Sequence, residues 1–170
     1  MYEDIFELII IAAQKRNLKE STSHRYCQAL TPFLKAINKP WQELSIEDAD
    51  DYLTAKRLAG IMPETYNHYY AALRFMYKRV LKINWNEDDI PRMRRDRSLP
   101  TILEKEEIDA ILEVTTNLKY KSIFAVMYSG GLRVSEATHL HYKDISRKSH
   151  SIHIHNTKNR MDRYTILADR

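Results

Sequence analysis

Only three glycines, Gly60, Gly130 and Gly131, interrupt 170 residues, and two of them are adjacent. Glycine is what tight turns and phosphate-cradling loops depend on, because it alone enters left-handed backbone freely. Neither G-x-G-x-x-G nor G-x-x-x-x-G-K-[ST] occurs, so a Rossmann or P-loop nucleotide site is excluded. Gly and Pro together number eight, far below the range of low-complexity chains. The chain must therefore be built from long, seldom-broken elements, and its apolar residues recur mainly at helical spacing.

The first half reads as four helices. Ile5, Leu8, Ile9 and Ala12 mark one over residues 2–16. Ser21 is placed to cap a second, running to about Ile37 with Tyr26, Leu30, Phe33 and Leu34 on its apolar side. Ser45 and Asp48 form a capping-box pair for a third, stopped by Gly60. Pro63 fits the first turn of a fourth, whose stripe runs Tyr66, Tyr69, Tyr70, Leu73, Met76, Tyr77, Val80 and Leu81. The tyrosines at this spacing read as core residues, not base-stacking platforms. Residues 1–84 thus make a compact helical domain, and 85–100 read as a basic linker containing Pro91 and Pro100.

Charge divides unevenly. Residues 1–90 carry 12 Lys/Arg against 13 Asp/Glu, whereas 91–170 carry 15 against 10. The cations cluster as Arg74, Lys78, Arg79 and Lys82, then Arg92, Arg94, Arg95 and Arg97, then Lys158, Arg160 and Arg163. Clustering of this kind is the footprint of a phosphate-backbone partner. His24, Arg25, His68, Arg74 and Lys78, on the second and fourth helices, are candidate DNA contacts, joined by Arg94, Arg95, Arg160 and Arg163. A single cysteine, Cys27, precludes an internal disulfide and fits a reducing cytoplasm. The longest apolar run, Leu8 to Ala13, is too short to span a bilayer, so no membrane partner is expected.

The second half, 101–170, changes character. A helix from about Lys105 to Thr116, with Ile108, Ile111 and Leu112 buried and Thr101 as its cap, precedes another from Leu118 to about Tyr128. The glycine pair then opens Gly130-Gly131-Leu132-Arg133-Val134-Ser135-Glu136, a sharp turn that presents Arg133 at a helix start. A guanidinium there suits two oxygens of one phosphate, and Glu136, one turn on, can fix its orientation. Residues 151–155 and 163–167 alternate as strands and flank a polar tip, so they read as a β-hairpin with Lys158 near its tip. A mobile lysine there could donate a proton to a leaving oxygen.

These stretches together resemble the tyrosine recombinase (phage integrase and Xer-like) family. Ser129 to Glu136 is similar to its T/S-G-L-R-x-S-E stretch, and Leu140 to Ile145 to its L-x-W/Y-x-D-I. Lys158, with Arg160, Asp162 and Arg163, resembles its hairpin-lysine context. Thr65, Asn67, Ala72, Leu73, Arg74, Phe75 and Tyr77 are similar to the last helix of its core-binding domain. The fold implied is mainly α with a small β-hairpin: a SAM-like four-helix domain, then an α+β catalytic domain. The resemblance implies site-specific recombination or integration through a 3′-phosphotyrosyl intermediate, with the two domains clamping a duplex. Arg133 would stabilise the non-bridging oxygens, Lys158 would act as general acid, and Glu136 would orient Arg133. It implies double-stranded DNA and other recombinase protomers as partners, no cofactor, and a prokaryotic cytoplasmic protein that joins the nucleoid when bound.

The family's later His/Lys-x-x-Arg motif and nucleophilic tyrosine are not found before Arg170, and Tyr164 does not match the nucleophile's context. The catalytic domain is therefore expected to be truncated and unable to complete strand exchange by itself. Two other readings stay open: an inactive DNA-binding fragment competing with an intact integrase, and a helical protein-interaction module. His139/His141 and His153/His155 each form H-x-H, but two ligands do not make a zinc site. No metal is expected.

Overall fold

The computed structural model describes residues 2–95, 99–155 and 161–168. It divides into two compact units, Met1–Ser98 and Leu99–Arg170.

The first unit is helical. It comprises α1 (Glu3–Gln14), α2 (Glu20–Ile37), a 3₁₀ turn (Trp41–Glu43), α3 (Ile46–Leu58) and α4 (Pro63–Phe75). The last helix runs on as a π turn over Met76–Leu81 and stops where Lys82 turns left-handed at φ 61°. Helix α2 packs against both α1 and α4, and α3 packs against α4. Ile5, Ile9, Leu30, Phe33, Leu53, Tyr66, Tyr70 and Tyr77 are fully enclosed between them.

Large rings need a partner for their polar ends when buried. Tyr77 donates to the Ser45 carbonyl at 2.8 Å, Trp85 donates to Tyr70 at 3.2 Å, and Tyr66 donates to the Pro91 carbonyl at 3.1 Å. The tyrosine stripe is thus core, and its hydroxyls tie one element to the next.

Local signals succeed at α3, where Ser45 and Asp48 form the expected capping box, and at α4, where Pro63 occupies the first turn. Gly60 has the left-handed φ of 71° expected of a helix stop. At α2 the cap differs from expectation. The helix starts at Glu20, Lys19 is the extended capping residue, and Ser21 caps nothing; Ser23 instead hydrogen-bonds back to the Glu20 carbonyl at 2.8 Å.

The segment expected to be a linker is not free chain over its first residues. Trp85 and Ile90 are buried in the helical core. Asn67 grips Met93 from both sides, donating to its carbonyl at 2.9 Å and accepting from its N–H at 3.1 Å. Arg57 donates to the Pro91 carbonyl at 3.1 Å, and Arg92 lies over the Tyr70 ring. Arg94 and Arg95 follow, both exposed.

The second unit contains α5 (Lys105–Val114), α6 (Leu118–Gly130), α7 (Val134–Thr138) and a 3₁₀ turn (Tyr142–Asp144). Strands β1 (Ile145–Ser146), β2 (Ser151–Ile154) and β3 (Arg163–Ile166) follow as an antiparallel sheet in the order β1-β2-β3. The expected hairpin is present as β2 and β3, with Ser151 opposite Ile166 and Ile154 opposite Arg163. Strand β1 is an addition, too short to show alternation in the sequence. Thr101 does not cap α5. Glu104 does, its backbone N–H bound by the Glu107 carboxylate at 2.8 Å. Ile111, expected to be buried, is exposed, and Ile108 and Leu112 are only half-buried. The core here is small: Leu132, Ala137, Ile152 and Ile154, flanked by half-buried Ile123, Val126, Met127, Leu140 and Leu167.

Candidate functional site

The two adjacent glycines play different parts. Gly131 sits at φ 61° and ends α6, a backbone state that costs a side-chain-bearing residue energy. Gly130 has an ordinary φ, but a Cβ there would lie 2.6 Å from Leu132 Cδ1 and 3.3 Å from Thr165 Cγ2. The first glycine lets β3 approach and the second reverses the chain. Thr165 seals the approach by donating to the Gly130 carbonyl at 2.7 Å.

This turn delivers Arg133 to the start of α7. Its backbone N–H donates to Glu136 Oε2 at 2.9 Å, and its guanidinium Nη1 donates to Glu136 Oε1 at 2.8 Å. From β3, Arg163 donates to the same Oε2 at 2.9 Å and to the Gly131 carbonyl at 3.2 Å. One carboxylate therefore holds two guanidiniums. The Glu136 side chain is 6% exposed, while Arg133 and Arg163 are 59% and 36% exposed. The Arg133 backbone N–H, more than burial opposes, keeps the Glu136 carboxyl below its usual range, and the two guanidiniums add to this. With two cations on one anion, the cluster keeps a net positive charge with exposed donors. That is the chemistry of a phosphate-binding site.

The sequence pairs Glu136 with Arg133 and offers Arg163 separately as a candidate DNA contact. Strand pairing brings all three together, across 27 residues of sequence for Arg163 and Glu136. The alternation of 163–167 hints at this, because it puts Arg163 and Thr165 on one face. Lys158 and Arg160 lie outside the described residues.

On the helical unit, His24, Arg25 and His68 are exposed and Lys78 is half-buried. His24 lies 3.4 Å from Glu20. Arg74 is ion-paired with Glu87, and its Nε is buried without a hydrogen-bond partner. Lys78 and Arg79 sit on the π turn.

A second polar cluster lies on the β2–β3 hairpin. His153 and His155 share one face of the hairpin, their ring centroids 3.9 Å apart, and His153 stacks on Tyr164 at 4.4 Å. Asp162 Oδ2 is 3.2 Å from His153 Nε2 and 3.2 Å from His155 Nδ1. His155 Nε2 lies 3.0 Å from Asp144 Oδ1. The Asp144 side chain is 5% exposed, and its other oxygen accepts the His141 N–H at 3.0 Å. Asp144 and then Asp162 raise the His155 pKa. The sequence offered two ligands per H-x-H pair, and the hairpin brings Asp162 in as a third.

The motifs, the glycine turn and the hairpin coincide with a known family. Residues 5–87 match the phage integrase N-terminal SAM-like domain, and residues 101–170 match the phage integrase family itself. Together these leave out only the first four residues and the 88–100 segment, and the chain belongs to the phage integrase family of tyrosine recombinases. The tyrosine recombinase XerD of Oceanobacillus iheyensis is 27% identical over 156 residues, covering 84% of this chain and 52% of that protein. The tyrosine recombinase XerC of Bacillus pumilus is 25% identical over 154 residues, covering 83% and 50%. This chain spans about half the length of the curated relatives it matches. The fold is similar to that of XerH site-specific recombinase bound to palindromic difH substrate in a post-cleavage complex. That similarity has a TM-score of 0.59 at 20% identity, over 96% of this chain and 53% of that one. Among the described residues no helix is long and apolar enough to cross a membrane.

Proposed function

We propose that this chain binds double-stranded DNA and supplies the phosphate-gripping arginines of a site-specific recombinase that acts through a 3′-phosphotyrosyl intermediate. The observation that carries the reading is the buried Glu136 carboxylate holding Arg133 and Arg163 side by side with exposed guanidiniums. Membership of the phage integrase family supports it.

In the reaction proposed for a protein of the relatives' full length, a tyrosine oxygen attacks the scissile phosphorus and the bond to the 5′-oxygen breaks. Arg133 meets the charge that gathers on the non-bridging oxygens. Lys158 gives its proton to the departing 5′-oxygen. Glu136 is a positioning residue, because it reaches the phosphate only through the arginines it holds. Tyr164, stacked on His153, is not assigned the nucleophile's role. His24, Arg25, His68, Lys78, Arg94 and Arg95 contribute phosphate contacts, and Arg74 does so in spite of its pairing with Glu87. Other protomers of the recombinase assemble on the same DNA.

The test is fluorescence anisotropy of a labelled duplex titrated with the folded chain at 50 and 200 mM salt, with Arg133→Ala and Arg25→Ala/Lys78→Ala alongside. Affinity should fall by about 0.9 log unit per phosphate contact for each tenfold rise in salt. Each variant should weaken binding and flatten the slope by about 1 per contact removed. A folded chain with no salt-dependent affinity, or one indifferent to Arg133, overturns the proposal.

A further inference from the structure

His155 has a carboxylate on each of its ring nitrogens, Asp144 at 3.0 Å and Asp162 at 3.2 Å. A neutral imidazole has one N–H and one lone pair. One of the two contacts therefore needs a cation: a second proton, which makes the ring an imidazolium donating to both carboxylates, or a metal ion on one ring nitrogen. The same Asp162 oxygen also meets His153 Nε2, again at 3.2 Å.

The two contacts to the Asp162 oxygen have about the spacing of a coordination shell. Ligand atoms around a tetrahedral zinc ion, with bonds of about 2.0–2.2 Å, lie about 3.3–3.6 Å apart. The atoms offered by His153, His155 and Asp162 all lie within 4.8 Å of one another, and both contacts to the Asp162 oxygen are 3.2 Å. The arrangement has outer support as well. Metal-bound histidines usually donate their second N–H to a carboxylate, which fixes the tautomer and the ring plane. Asp144 is placed to do this for His155, and the His141 N–H in turn holds Asp144.

We propose that His153, His155 and Asp162 form a binding site for a divalent transition-metal ion of the zinc class, with Asp144 orienting His155. Two imidazoles and one carboxylate suit zinc, nickel or copper, and do not suit magnesium, which prefers oxygen ligands in an octahedral shell. A fourth position is left for water. The ion would fasten the end of β2 to the residues entering β3, on either side of the 156–160 segment, one residue from Arg163. The proposal is independent of the DNA-binding reading, because it concerns the metal alone.

The experiment is calorimetric titration of the full chain with zinc chloride, without DNA, at neutral pH, with magnesium chloride in parallel. One zinc ion should bind per chain, reversibly on adding a chelator, and magnesium should give no heat of site binding. His155→Gln and Asp162→Asn should each weaken zinc binding at least tenfold, and Asp144→Asn by about 10–100-fold. His139→Gln should leave it unchanged. Circular dichroism of each variant keeps loss of ligand distinct from loss of fold. Zinc-induced shifts of the His153 and His155 ring resonances give a second readout that needs no variant. The proposal is overturned if the folded wild-type chain takes up no zinc, if His139→Gln weakens binding as much as His155→Gln, or if the ring resonances do not respond. Occupation of the site by a proton alone corresponds to the first of these results.

Discussion

The two units place their functional residues by different physical means. In Met1–Ser98 a broad aromatic core positions the surface: Tyr66, Tyr70, Tyr77 and Phe33 are enclosed, and even the polar reach of Asn67 serves to tie chain onto that core. Among the described residues of Leu99–Arg170 only four apolar side chains are buried, and Ile111 and Val114 of α5 and Leu118, Tyr120, Phe124 and Tyr128 of α6 stand exposed. What holds Arg133 and Arg163 in place there is a carboxylate and the carbonyl of a turn. Apolar burial is non-directional, so it fixes helices well and a guanidinium poorly. Charge-assisted hydrogen bonds are directional and can aim a side chain over a thin core. The arginines proposed to meet phosphate are accordingly held where the packing is least.

The largest expected effect tests the packed side of that contrast. Trp85 is 2% exposed, meets Tyr70 and Tyr77 edge-on or tilted, and donates to the Tyr70 hydroxyl. Trp85→Ala should cost about 3–5 kcal/mol, the usual range for an enclosed aromatic ring. Both tryptophans, Trp41 and Trp85, lie in the helical unit, so the remaining indole of Trp41 reports that unit's unfolding in denaturant. A loss below about 1 kcal/mol would mean that residues 85–93 are a loosely laid strap after all.

The next tests the polar side. Glu136→Gln keeps the shape but removes the charge shared by Arg133 and Arg163, and should destabilise the second unit by about 1–2 kcal/mol, given the exposure of both arginines. The sign with pH follows from the lowered pKa of Glu136, which the Arg133 backbone N–H chiefly causes. A carboxyl with a lowered folded pKa contributes stability that is fully present above its unfolded value and lost as pH falls through the folded one. The acid side of the unit's stability profile, below about pH 4, should therefore flatten in the variant. Thermal unfolding between pH 3 and 7, followed by hydrogen exchange at Ile152 and Ile154, checks it. An unchanged acid limb would show that the cluster does not hold β3 against α7.

Legibility divided along the same line. The capping box at Ser45, Pro63 at a helix start and the left-handed Gly60 were readable because each is settled within four residues. The four-helix domain and the hairpin were readable from periodicity and local caps, and the turn from its glycine pair. Ser21 misled because a serine before an apolar stripe fits either of two neighbouring starts, and the helix begins at Glu20. The burial of Trp85 and Ile90 was hidden by a proline and a run of arginines, whose polarity says nothing of two apolar residues that each find a pocket. Ile111 misled in the other direction, since an apolar stripe shows which face is apolar and not what covers it. Asp162 could not be placed with the histidines, nor Arg163 with Glu136, because those contacts form only after β2 and β3 pair.

The smallest effect separates the two glycines and so asks how much of the arginine's aim depends on backbone. Gly131 has no heavy atom within 4 Å of the place a Cβ would take, so Gly131→Ala brings conformational strain and no collision. Left-handed backbone costs an alanine about 1 kcal/mol, and asparagine, which tolerates it better, should cost less. Gly130→Ala has an ordinary φ and a crowded site, with Leu132 Cδ1 at 2.6 Å and the Ile166 carbonyl at 3.4 Å. Its cost should fall on the contact with β3, loosening the Thr165 bond to the Gly130 carbonyl. Stability measured for Gly131→Ala and Gly131→Asn should thus rank alanine as the worse, while no such rescue is expected at Gly130. If asparagine rescues Gly130 and not Gly131, backbone and sterics have been assigned to the wrong glycine. Arg133 would then be aimed by packing, as the residues of the helical unit are.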